Sequence, residues 1–128
     1  MTYVPITSCL AAILALMMVA LSFQVSLRRR QLALSHGDGG DQVLRRRIRA
    51  HGNFIEYSPL AAIVILLVEL AGTNPATVWA LGGALVGARV VHALGMLYTK
   101  GPALRAAAMV VQHLAFLFGA ALLIAPLF

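Results

Sequence analysis

The sequence predicts an all-α membrane protein, a four-transmembrane-helix antiparallel bundle forming one integral-membrane domain over residues 1–128. Three observations predict it. The chain is 61% hydrophobic and only 11% charged, whereas soluble domains carry about 25% Asp, Glu, Lys and Arg. Four apolar segments are separated by three short breaks, and each is about 20 residues or longer, enough to cross a hydrocarbon core of about 30 Å as helix. The segments do not alternate apolar with polar residues and are too long for barrel strands.

The first span covers roughly 4–27 and ends at Arg28-Arg29-Arg30. No basic stretch precedes its apolar run, so it reads as a retained span rather than a cleavable signal. It holds the single cysteine, Cys9, which has no partner for a disulfide and reads as a small residue facing lipid or a neighbouring helix. A polar loop, Gly37-Asp38-Gly39-Gly40-Asp41, follows. The second span, roughly 47–71, becomes apolar after Asn53 yet carries Glu56 and Pro59. Pro59 cannot donate to the carbonyl of Ile55, which predicts a kink there.

Gly72-Thr73-Asn74-Pro75 breaks the chain before the third span, roughly 76–98. Its Gly83 and Gly87 form a Gly-x-x-x-Gly pair that suits close packing inside one bundle and a subunit interface equally. Lys100-Gly101-Pro102 precedes the fourth span, roughly 103–125, where Ala106, Ala107 and Ala108 keep one stretch small.

Loop charge sets the expected orientation. Loop one carries Arg28 to Arg30 and Arg45 to Arg47, and loop three carries Lys100 with Arg105 just beyond. Loop two and both termini have no Lys or Arg, so loops one and three are expected in the cytoplasm and the termini on the opposite side. Topology then accounts for most of the formal +6 charge. Membrane lipids are expected partners and nucleic acid is not. The histidines at 36, 51, 92 and 113 are too dispersed for a metal site, so no metal is expected.

Arg49, Asn53 and Glu56 fall at i, i+4 and i+7 on one helical face. Arg89 and His92 lie at i and i+3 on the third span. Counted from their shared end at 1.5 Å per residue, Glu56 and Arg89 lie at nearly the same depth. The simplest account has Glu56 facing Arg89 across the bundle, since each lone charge would cost at least about 2.5 kcal/mol at mid-membrane. Two readings follow: a structural ion pair with Asn53 and His92 as interhelical hydrogen bonds, or a polar pocket open to the cytoplasm. Arg49, Arg89 and Arg105 against one carboxylate leave surplus positive charge, which favours a pocket for an anionic ligand or lipid head groups. Glu69 is expected to be solvated at the opposite interface. Gln112 and His113 are expected to form interhelical hydrogen bonds, and Trp79 and Tyr98 to anchor at the interfaces.

The run Arg49-Ala50-His51-Gly52-Asn53-Phe54-Ile55-Glu56-Tyr57-Ser58-Pro59, the later Ala88-Arg89-Val90-Val91-His92-Ala93-Leu94-Gly95 and the glycine–aspartate loop resemble the membrane-associated proteins in eicosanoid and glutathione metabolism, the MAPEG family, and most of all its bacterial branch. The resemblance covers nearly the whole chain. It implies a homotrimer in a bacterial inner membrane, with glutathione as co-substrate bound between subunits near the cytoplasmic side. By motif, Arg49, Asn53, Glu56, Arg89 and His92 match glutathione contacts, Arg28 a further one, and Arg105 the arginine that stabilises the thiolate.

The chain departs from the eicosanoid-synthesising members at four positions. Gly52 stands where they place an arginine, Met96 and Met109 where tyrosines contribute, and Ala106 where a serine sits. The anion-binding core is kept and part of its periphery is lost, which argues against a specific eicosanoid synthase. The resemblance thus implies a membrane glutathione transferase or peroxidase for detoxification, acting on a lipophilic small-molecule substrate. The alternative is a non-catalytic trimeric binding or scaffold protein that keeps the fold and an anion site.

Overall fold

The computed structural model describes residues 3–127. Four helices form in chain order: α1 (Pro5–Gln31), α2 (Gln42–Leu70), α3 (Pro75–Tyr98) and α4 (Ala103–Ile124), followed by a short 3-10 turn, Ala125–Leu127. All four are long and apolar enough to cross a membrane, and even α4, the shortest at 22 residues, extends about 33 Å. The chain is an integral membrane four-helix protein, as the sequence predicts. The spans match at their apolar cores, but α1 and α2 reach further through the basic stretches than 4–27 and 47–71. Arginine is a good helix former, so nothing in those stretches stops the helix. Pro59 lies inside α2, which continues through it as one element.

Sequence chemistry fixes the ends. Pro5 and Pro75 occupy first-turn positions where a missing N–H costs nothing. Asn74 caps α3 by accepting from Ala76 N at 2.9 Å, and Asp41 caps α2 by accepting from Leu44 N at 2.6 Å. Gly72, at φ +75°, takes the left-handed conformation that ends α2. Glu69 is not free in solvent as expected. Its two carboxylate oxygens accept from Ile6 N at 3.0 Å and Thr7 N at 2.7 Å. It thereby caps the first turn of α1, whose own N-cap residue, Val4, has no side-chain acceptor.

Helices α1, α2 and α3 pack mutually, and α4 packs on α3 and α2 but not on α1 among the described residues. Leu10, Leu14 and Leu21 of α1 meet Phe54, Ala61 and Ile65 of α2 and Leu81 and Leu85 of α3 in the core. Helix α4 contributes small buried positions, Ala108, Ala115 and Gly119. A Cβ on Gly119 would lie 2.6 Å from Val64 Cγ1, so this glycine lets α4 approach α2. Gly83 and Gly87 do not serve packing inside the chain, since a Cβ on either meets nothing within 4 Å. Leu16, Phe23, Leu60, Leu114 and Leu117 are exposed, as expected of helices whose outer faces meet lipid.

Loop one is clamped by two ion pairs. Arg28 Nη2 meets Asp41 Oδ2 at 2.8 Å and Arg45 Nε meets Asp38 Oδ2 at 2.6 Å. The Arg28 hydrogen bond, then the Leu44 N–H, lowers the Asp41 carboxyl to about 2. The Arg45 hydrogen bond, then the Gly40 N–H, lowers Asp38 as well. Each joins the loop to a helix end, which fixes the basic ends of α1 and α2 beside each other.

Candidate functional site

The site is organised by Arg89, which is 1% exposed in the middle of the bundle. Its Nε donates to Gln112 Oε1 at 2.8 Å and its Nη1 to Asn53 Oδ1 at 2.7 Å. Nη2 lies 3.4 Å from Met109 Sδ, and the guanidinium carbon sits 4.8 Å from the centre of the Tyr57 ring. Helices α2 and α4 thus hold one arginine of α3 by neutral acceptors and a ring face. None of these partners is a carboxylate, so the positive charge is solvated but not neutralised.

The expected ion pair between Glu56 and Arg89 does not form. Glu56 is exposed and takes no ion pair among the described residues. The reason is angular. Phe54 points into the core, and a residue two positions later lies about 200° around the helix from it. Asn53, at the edge of the inward face, meets Arg89 instead. Arg49 is exposed on the same outer side as Glu56. Asn53 therefore lies between two sets of charges, bonded to Arg89 inside, with Arg49 and Glu56 outside.

His92 is buried one turn from Arg89 on α3. Arg105, at the start of α4, lies along α3, with Nη1 3.3 Å from Met96 Sδ and Nη2 donating to Gly101 O at 3.3 Å. Gly95 permits this, because a Cβ there would come 2.9 Å from Arg105 Cγ. Arg28 is placed elsewhere, in the loop clamp with Asp41. Of the residues singled out from sequence, Asn53, Arg89, His92 and Arg105 gather between α2, α3 and α4. Arg49 and Glu56 flank them on the outside, and Arg28 stands apart.

Sequence alone assigns Tyr57 no role, and Met109 only that of standing where the eicosanoid-synthesising members carry a tyrosine. Tyr57 lies four positions after Asn53, hence on the same face, and that spacing was the available signal. Met109 follows Arg105 by four positions in the same way. Gln112, 0% exposed, makes the interhelical hydrogen bond expected of it. His113 does not: its Nδ1 lies 2.6 Å from Met109 O on its own helix, and its ring meets Tyr57 edge-on with centres 6.1 Å apart. In lipid an exposed histidine uses the second lone pair of the carbonyl one turn back on its own helix.

A model of the MAPEG family matches residues 7–125. The chain belongs to the MAPEG family. This MAPEG chain is 34% identical over 90 residues to the inner membrane protein YecN of Escherichia coli K12, covering 70% of this chain and 69% of that one. The same identity and coverage hold for YecN of Escherichia coli O6:H1. No solved structure matches. The MAPEG match spans all four helices, so the polar cluster around Arg89 lies in the shared region.

Proposed function

We propose that this MAPEG protein is an inner-membrane glutathione transferase with its thiol site at the basic end of the bundle, facing the cytoplasm. The observation that carries the reading is Arg89, a buried guanidinium held in position by neutral groups with its charge uncompensated. An anionic ligand supplies the missing charge, and arginine's planar fork suits a carboxylate. Glutathione offers two carboxylates for Arg49 and Arg89 and an ammonium for Glu56.

Glu56 also argues for assembly. An ionised carboxylate facing lipid costs at least about 2.5 kcal/mol. A second copy of the chain, in a homotrimer, covers that face and turns the outer side of α2 into the wall of a cleft. Arg105 then lies beside the thiol and favours its thiolate, the nucleophilic form. The thiol proton passes to water, the sulfur forms a bond to an electrophilic carbon, and the displaced electron pair leaves with the electrophile's leaving group. A lipophilic electrophile enters from the bilayer, where α1 and α4 leave the chain open between them.

The test is thiolate absorbance when glutathione is added to purified protein, with Arg105→Ala as control. A signal in the parent protein that is lost in the variant supports the reading. No signal, together with no conjugation of a broad electrophile, refutes it. A second reading, a non-catalytic anion-binding protein, is favoured by two contacts: the Arg105 guanidinium already rests on Met96 Sδ and Gly101 O. Thermal stabilisation by glutathione without turnover selects it.

A further inference from the structure

A second basic feature lies at the same end of the bundle but between other helices. Arg46 and Arg47 of α2, Gln24 of α1 and Tyr98 of α3 line a cavity of about 240 Å³, completed by Val43 and Leu97. No carboxylate forms an ion pair with either arginine among the described residues, although Asp41 lies near enough to Arg47 to feel its charge. The chain holds four acidic residues: Asp38 and Asp41 are taken by Arg45 and Arg28, Glu69 caps α1 at the other end, and Glu56 lies further along α2, in its apolar part. Arg47 Nη1 donates to Gln24 O at 2.9 Å, which anchors the side chain and uses one of its five donors. Arg46 is exposed and takes no ion pair among the described residues.

The cavity does not end at the charges. Gln24, Leu97 and Tyr98 also line a groove of about 210 Å³ between α1 and α3, whose other walls include Met17, Ala20 and Leu94. From Gln24 to Met17 the groove descends about 10 Å along α1, well into one leaflet of a hydrocarbon core about 30 Å thick. A basic cup thus adjoins an apolar groove that runs toward the membrane centre, and the two share Gln24, Leu97 and the exposed Tyr98.

We infer that this cup and groove form a site for an anionic phospholipid. Its phosphate is held by Arg46, Arg47 and the Tyr98 hydroxyl, and one acyl chain lies along the α1–α3 groove. A soluble anion uses the cup alone and leaves the groove unoccupied. A lipid without a phosphate uses the groove and leaves two guanidiniums unanswered, and a zwitterionic one brings into the cup a cation that repels them. Only an anionic amphiphile matches both halves, and basic pockets between transmembrane helices are suited to acidic head groups. The site stands apart from the Arg89 cluster and does not depend on the glutathione reading.

The experiment uses full-length protein in detergent, supplied with phosphatidylglycerol, with phosphatidylcholine or with glycerol 3-phosphate. Retained lipid is counted by native mass spectrometry and stability by thermal unfolding. Phosphatidylglycerol is expected to be retained and to raise the unfolding temperature, and the other two are not. Arg46→Gln with Arg47→Gln should weaken retention about thirtyfold. Ala20→Phe, an exposed position that fills the groove and leaves every arginine in place, should also release the lipid. Equal protection by glycerol 3-phosphate, equal retention of phosphatidylcholine, or unchanged retention in either variant overturns the inference.

Discussion

Glu56 and Glu69 sit on the same helix, thirteen residues apart, and their fates are opposite. Glu69 accepts two backbone N–H groups from the first turn of α1, so its charge is used inside the chain. Glu56 faces outward and pairs with nothing among the described residues. The contrast separates two uses of charge in a membrane protein. A carboxylate answered by its own chain holds the fold together. One left unanswered at bilayer depth requires something from outside the chain, because lipid offers it no solvation.

Arg89 tests the first half of that contrast most severely. It is the largest side chain among the fully buried ones, and Gln112 supplies one of its two oxygen acceptors. Gln112→Leu removes that bond and leaves a buried cation short of an acceptor. A hydrogen bond to a charged group contributes about 1.5–3 kcal/mol, so a loss of about 2–3 kcal/mol is expected by denaturant unfolding in detergent. An unchanged midpoint would show that Arg89 is solvated by other means. Glu69→Ala comes next, at about 1–2 kcal/mol, the usual cost of losing a helix cap. The loss should appear as early hydrogen exchange in the first turn of α1. If exchange there is unaffected, the cap contributes nothing.

Glu56→Gln sharpens the other half. The isolated chain should lose no stability, because the substitution removes a charge that lipid does not solvate. The proposed homotrimer, assayed by cross-linking, should weaken, and so should any stabilisation by glutathione. A clear loss of stability in the monomer, with assembly untouched, would make Glu56 a structural residue like Glu69 and remove the distinction.

The sequence showed the bundle clearly because lipid imposes a strong constraint. Four long apolar runs have no other stable form, and their ends carry recognisable caps such as Asn74–Pro75 and Asp41. The site was legible in depth but not in direction. Counting residues from the basic end set Glu56 level with Arg89, yet depth says nothing of the angle around the helix axis. The angle depends on which face of α2 packs inward, and Ala50, Phe54 and Ala61 decide that only in three dimensions. Glu69 was hidden for a related reason. Its partners are the backbone N–H groups of Ile6 and Thr7, some sixty residues away, and a backbone amide leaves no mark in a sequence.

The loop clamp gives the smallest effect and extends the comparison outside the membrane. Asp41 is answered within the chain, like Glu69, but in water. Its carboxyl is lowered to about 2, below the ordinary value of about 3.9. The sign follows from that direction. The folded loop binds its proton less readily than the unfolded chain, so its contribution is fully present above about pH 4. It is lost as pH falls from there through about 2. Protease protection of loop one should therefore hold at neutral pH and weaken across that interval, while the apolar spans stay intact. Asp41→Asn should show the weaker protection already at pH 7, because it loses the Arg28 ion pair but can keep the cap on Leu44. If the variant matches the parent protein at neutral pH, the cap rather than the ion pair holds the loop. A charge answered in water then has little structural weight, unlike one answered in lipid.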